Sequence, residues 1–141
     1  MMIDYYKKVV FENYANFKGR ARRSEFWYFV LASMIISFVL QLIEGAFGLQ
    51  IVLAESQGQE VAIGIISSIY GLAVMVPGLA IWVRRLHDTE KSGWTLLMSL
   101  IPLIGAILLL VYAAKEGTAG INKYGKDPKN PEMDLEDHLV D

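Results

Sequence analysis

The 141-residue chain is 54% hydrophobic and only 20% charged, with a formal net charge of −2, a balance that exceeds the usual soluble composition and points to lipid as solvent. It has no cysteine, which excludes disulfides, thiol nucleophiles and cysteine-based metal sites. The charges are segregated along the chain, so their placement says more than their sum.

Residues 2–17 (MIDYYKKVVFENYANF) put Tyr6, Val10, Tyr14 and Phe17 at helical spacing. They predict an amphipathic helix lying in the membrane interface with its aromatic rings at headgroup depth; a short helix packed on the rest of the protein is the alternative. Lys18-Gly19-Arg20-Ala21-Arg22-Arg23 forms a basic cluster, followed by Phe26-Trp27-Tyr28 as an aromatic belt. The first predicted span, 26–43, reads FWYFVLASMIISFVLQLI. This run begins too far in, and is too long, for a signal peptide, so it is expected to remain as an anchor.

Residues 44–60 carry three glutamates and no Lys or Arg and are read as a link. From Val61 to Val83 no residue is charged, enough for a second span, which needs roughly 20 apolar residues. Within it Gly64, Ser68 and Gly71 share a face and predict close helix packing, and Pro77-Gly78 predicts a kink. Residues 84–92 read as a tight connection flanked by Trp82 and Trp94. The charge-free run 93–114 is the third predicted span, with Pro102 and Gly105-Ala106 allowing a kink or a re-entrant hairpin. An acidic tail, 129–141, is expected to lack fixed structure.

The fold class expected is therefore all-α integral membrane: one membrane domain, residues 1–128, of about three transmembrane helices after an interfacial helix. Six Lys and Arg precede span one, none lies in 44–60 and three lie in 84–92. By the positive-inside rule the N-terminus and the 84–92 connection are cytoplasmic. Three crossings would put the tail outside, against Lys115, Lys123, Lys126 and Lys129; a re-entrant third segment would return it to the cytoplasm.

Four stretches, FKGRARRSEFWYF at 17–29, RRLHDTEKSGW at 84–94, IPLIG at 101–105 and GTAGINKYGKDP at 117–128, in that order and spacing, resemble the bacterial inner-membrane family known as domain of unknown function 805. The resemblance covers roughly residues 14–128. It departs from the family pattern at Glu90, Thr95, Ala119, Tyr124 and Lys126. It implies a bacterial plasma membrane and a multi-span helical architecture, and it supplies no reaction.

No HExxH pair, P-loop or GxSxG elbow is present, and His87-Asp88 alone offers too few groups for a metal site. Neither catalytic residues nor a cofactor are therefore assigned. Spans two and three carry no ionisable group for ion-coupled transport, so a transporter or channel subunit in an oligomer ranks second and a membrane enzyme third. The favoured reading is a binding, interaction or structural membrane protein with a basic cytoplasmic surface. In it Arg20, Arg22, Arg23, Arg84 and Arg85 meet anionic phospholipid headgroups, with Glu25, His87 and Asp88 as ion-pair partners. The partners expected are the bilayer and a second copy or another membrane protein; nucleic acid is excluded because the basic residues hug the bilayer and the tail is acidic.

Overall fold

The computed structural model describes residues 1–129, so the expected acidic tail lies outside the described residues apart from Lys129. The elements in chain order are α1 (Met2–Lys7) running directly into a π-helical turn (Lys8–Glu12), α2 (Arg23–Phe47), β1 (Gln50–Ser56), β2 (Gln59–Gly64), α3 (Ile65–Asp88), a 3₁₀ helix (Gly93–Leu100) and α4 (Ile104–Ala114).

At 25 and 24 residues, α2 and α3 are each roughly 36 Å long at about 1.5 Å per residue, longer than a bilayer core of about 30 Å. Only 17% of the apolar window of each is buried. Leu31, Met34, Phe38 and Leu42 of α2 and Leu72, Met75 and Leu79 of α3 face outwards. A soluble core helix would cover such side chains; here their surroundings must be apolar. Both helices therefore have the length and outward-facing apolar surface of membrane spans. α2 overruns the expected limits of 26–43 at both ends, and α3 runs past Val83 to Asp88 while starting only at Ile65; polar end residues continue the helical hydrogen bonding.

The two helices meet along Pro77, Ala80, Ile81 and Arg84, all buried. Phe26, Phe29 and Ile81 form the apolar cluster with Val9, Ala21 and Ala113. The expected packing face is not this one. Gly64 lies against Glu44, but an added Cβ on Gly71 would meet nothing within 4 Å. At roughly 100° per residue Gly71 sits about 140° around the helix from Arg84. Pro77 does not break α3. Its ring removes the amide hydrogen that would bond Ala73, and the Tyr14 hydroxyl donates to that freed carbonyl at 2.7 Å.

The N-terminal helix ends at Glu12 rather than Phe17 and packs on α2, with Tyr5 stacked on Tyr28 and Tyr6 on Phe29. The link 44–60 is corrected more strongly. After α2 closes at Gly48 in the left-handed conformation, β1 and β2 pair antiparallel from Gln50↔Gly64 to Ser56↔Gln59, with a bulge between Val52 and Ala54. Gln57 and Gly58 both take positive φ, the backbone of a two-residue hairpin turn. Valine and isoleucine on either side supply strand-forming residues. Span two is thus helical only from Ile65.

Residues 93–114 are not one helix. The 3₁₀ segment stops at Leu100, Leu103 takes a φ of 63°, and α4 has 11 residues, roughly 16 Å or half a bilayer core. Pro102 lacks the amide hydrogen needed to continue the helix. Any side chain at Gly105 would strike the Met98 carbonyl, so the two arms touch. Both arms also end at the same place: Gly93 lies against Val83, while the Lys91 ammonium sits 4.5 Å over the Tyr112 ring. The segment is a hairpin hung from the last turns of α3.

Candidate functional site

Burying charge at a helix end is costly unless each group is paired and hydrogen-bonded. The final turns of α3 present Arg84, Arg85, His87 and Asp88, all buried, so their partners define the site. The expected connection 84–92 begins later than predicted, because Arg84 to Asp88 still belong to α3.

Arg85 reaches in three directions. Its Nε donates to the Ala113 carbonyl at 2.9 Å, its Nη1 to the Ala21 carbonyl at 2.8 Å and to Asp88 Oδ2 at 2.5 Å, and its Nη2 to the Lys115 carbonyl. Arg20 approaches Asp88 from the other side, Nε to Oδ1 at 2.9 Å, with Nη1 donating to the Gly120 carbonyl at 2.5 Å and Nη2 to the Thr118 carbonyl. One carboxylate is therefore shared by two guanidinium groups, whose remaining donors hold the backbone of the chain's first and last motifs. The planar five-donor fork of arginine suits this task; a lysine ammonium does not.

The loop after α4 closes over the same turn. The Thr118 amide donates to the Asp88 carbonyl at 2.8 Å and the Asn122 side chain to the His87 carbonyl at 3.0 Å. His87 Nδ1 meets the Gly19 carbonyl at 2.9 Å, and its ring stacks on Tyr124 at 4.0 Å. A Cβ at Gly117 would collide with the Asp88 carboxylate, so that position accepts only glycine. Burial opposes ionisation of Asp127, yet the Lys129 and Gly120 amides at 2.9 and 3.0 Å, helped by the Arg20 charge, hold its carboxyl below the usual range. The hydrogen-bonded Lys129 ammonium likewise lowers Glu116.

A second pair flanks this knot. Arg84 Nη1 donates to Glu25 Oε1 at 2.8 Å, and Lys8 stands 3.5 Å from the other oxygen. Arg84 Nε and Nη2 are buried without a protein partner. The five arginines singled out from the sequence thus divide. Arg20, Arg84 and Arg85 are internal, whereas Arg22 is half-buried and Arg23 exposed, with a single long contact of 3.4 Å to the Ala114 carbonyl. Glu25 and Asp88 are direct partners of these arginines; His87 instead anchors loops.

Sequence reasoning missed Asn122 and Asp127 and the five carbonyls that Arg20 and Arg85 bind most closely, Ala21, Ala113, Lys115, Thr118 and Gly120. It also missed the opposite end of the helical pair. There the buried Glu44 accepts from the Ser67 amide and hydroxyl, both at 2.7 Å, capping α3 from α2. Among the described residues no group of three or more His, Cys, Asp or Glu side chains is placed to hold a metal.

Long apolar helices with outward-facing side chains, tied at one end by a buried charged knot, define a helical membrane protein. The family profile described as a protein of unknown function, DUF805, matches residues 14–126, and the chain belongs to that family. It is 44% identical over 127 residues to inner membrane protein YhaH of Escherichia coli K12, covering 90% of this chain and 98% of that protein. It is 41% identical over 120 residues to inner membrane protein YhaI of the same strain, covering 85% and 92%. No solved structure matches the chain. Family and relatives together make it an inner membrane protein, and the stretches 17–29, 84–94 and 117–128 that carried the resemblance are the ones the knot joins.

Proposed function

We propose that this chain works as an architectural and binding protein of the inner membrane, not as a catalyst: two helices cross, the third segment re-enters, and the knot fixes the loop 115–129 on the cytoplasmic face. One observation carries the reading. Arg85 holds the Ala113 carbonyl at 2.9 Å at the same end of α3 where Gly93 abuts Val83, so the third segment leaves and returns on one side. The lysines of residues 115–129 then join Arg23 and the five Lys and Arg preceding α2 on one face, as the positive-inside rule favours. The apolar, half-bilayer depth of the hairpin suits a re-entrant insertion.

The test uses the absence of native cysteine. Single cysteines replace Ser56, Ser92 and Lys129 and are challenged with an impermeant thiol reagent in intact cells. Ser56→Cys is expected to react from outside, and Ser92→Cys and Lys129→Cys only after permeabilisation. Reaction of Lys129→Cys in intact cells overturns the re-entrant arrangement.

A transporter subunit is the second reading, favoured by a polar cleft of about 330 Å³ at the hairpin end, lined by Ser37, Gln41, Gln50, Gly64, Ser67 and Ser68. Conduction through reconstituted vesicles that Gln41→Leu abolishes would support it over the architectural role.

A further inference from the structure

We propose that the groove between the first turns of α2 and the end of α4 binds one anionic phospholipid, its phosphate on Arg23 and an acyl chain along Leu31. The proposal rests on the reading that this end of the helical pair lies at a membrane face, and goes beyond it by naming a ligand and its seat.

The groove encloses about 360 Å³ and is lined by Arg23, Ser24, Trp27, Tyr28, Leu31 and Ala114. The α2 positions follow one another a helical turn at a time: a guanidinium, then an indole and a phenol, then an aliphatic side chain. Eight residues of helix descend roughly 12 Å, taking the lining from charged through amphipathic to apolar. A glycerophospholipid has the same order from phosphate through glycerol to acyl chain, and Trp and Tyr favour the intermediate depth.

Charge selects the anionic class. Arg20 and Arg85 are buried and share Asp88, and Arg84 is buried and paired with Glu25, whereas Arg23 is exposed and forms no ion pair within 4.0 Å among the described residues. Glu116 feels its charge but is bonded to Lys129 at 3.1 Å. The Ser24 hydroxyl donates to Tyr5 at 3.2 Å, so it belongs to the wall and leaves the anion to Arg23. The wall itself is held in place: Tyr28 stacks on Tyr5 and Trp27 packs edge-on against Phe26. A guanidinium also takes a phosphate in two parallel hydrogen bonds, which an ammonium cannot.

Native mass spectrometry of the full chain in detergent, offered phosphatidylglycerol or phosphatidylcholine, tests the assignment. Wild type is expected to retain phosphatidylglycerol in preference to phosphatidylcholine. Arg23→Gln is expected to lower phosphatidylglycerol retention about fivefold, the factor that one interfacial arginine supplies, and Arg23→Lys to lower it less. Thermal unfolding in phosphatidylcholine should be the same for wild type and Arg23→Gln, because Arg23 makes only a 3.4 Å contact within the chain. Equal phosphatidylglycerol retention by Arg23→Gln and wild type overturns the site. Equal retention of the two lipids by wild type overturns it without any variant. The detergent assay does not depend on which leaflet the groove faces, so a failed thiol-labelling result and a failed lipid result remain separate.

Discussion

The two ends of the α2–α3 pair bury carboxylates by opposite means. At the arginine end, Asp88 and Glu25 are met by guanidinium groups, and the arginines reach on to carbonyls of loops far away in sequence, Arg20 as far as Gly125. At the hairpin end, Glu44 has no cation to meet, since no Lys or Arg lies between Arg23 and Arg84. It is satisfied by the amide and hydroxyl of Ser67 and by the positive end of the α3 dipole. One end joins distant segments; the other caps a neighbour. The fold's long-range order is thus concentrated at the arginine end, and substitutions should expose it.

Asp88→Asn should have the largest effect. It keeps the shape but strips two buried guanidinium groups of their counter-charge, and a broken buried pair costs about 3–5 kcal/mol. Melting in detergent should fall markedly, and trypsin should cut at the exposed Lys123 as the loop comes free. Glu44→Gln should cost about 1 kcal/mol, the scale of a lost helix cap, and leave Lys123 protected. Equal losses for the two variants, or equal trypsin cleavage, would dissolve the contrast between the ends.

Acid should act more gently and at one end first. Asp127 and Glu116 are both held below the ordinary carboxyl range, so the docking they support is complete near neutrality. It is lost as pH falls below the usual carboxyl values of about 4 and through the lowered ones. A spin label at Lys123 should gain mobility in this window while one at Ser56 does not change. Simultaneous loosening at both positions would count against a separately docked loop.

How much of this was legible follows from which groups make the contacts. The two long spans were plain because lipid demands long apolar runs, and Phe26–Ile43 and Val61–Val83 supply them. The hairpin was not, because residues 50–64 lack strict alternation: the bulge at Leu53 shifts the register, and glutamates near the turn look like an ordinary link. Pro102 and Gly105 did mark the break in the third segment, although sequence alone read 93–114 as a third span in which a kink or a re-entrant hairpin was allowed. At the site the charged side chains were visible but their partners were not. Arg20 and Arg85 bind mainly backbone carbonyls, which leave no side-chain pattern, and the stretch 117–128 was informative only as part of a family resemblance. Of the Gly64, Ser68, Gly71 stripe, Gly64 meets Glu44 of α2 while Gly71 has nothing within 4 Å in the single chain; the buried stripe at Pro77, Ala80, Ile81 and Arg84 includes a proline and an arginine that a search for small residues passes over.

The architecture turns on whether the third segment leaves and returns at the arginine end. Spin labels at Ser92 and Lys115 in the otherwise cysteine-free chain, reconstituted in a bilayer, report it directly through their separation. A separation well below the bilayer core thickness of about 30 Å is the result expected from the contact of Lys91 with Tyr112. A separation at or above that thickness would mean that the segment crosses and would contradict the account.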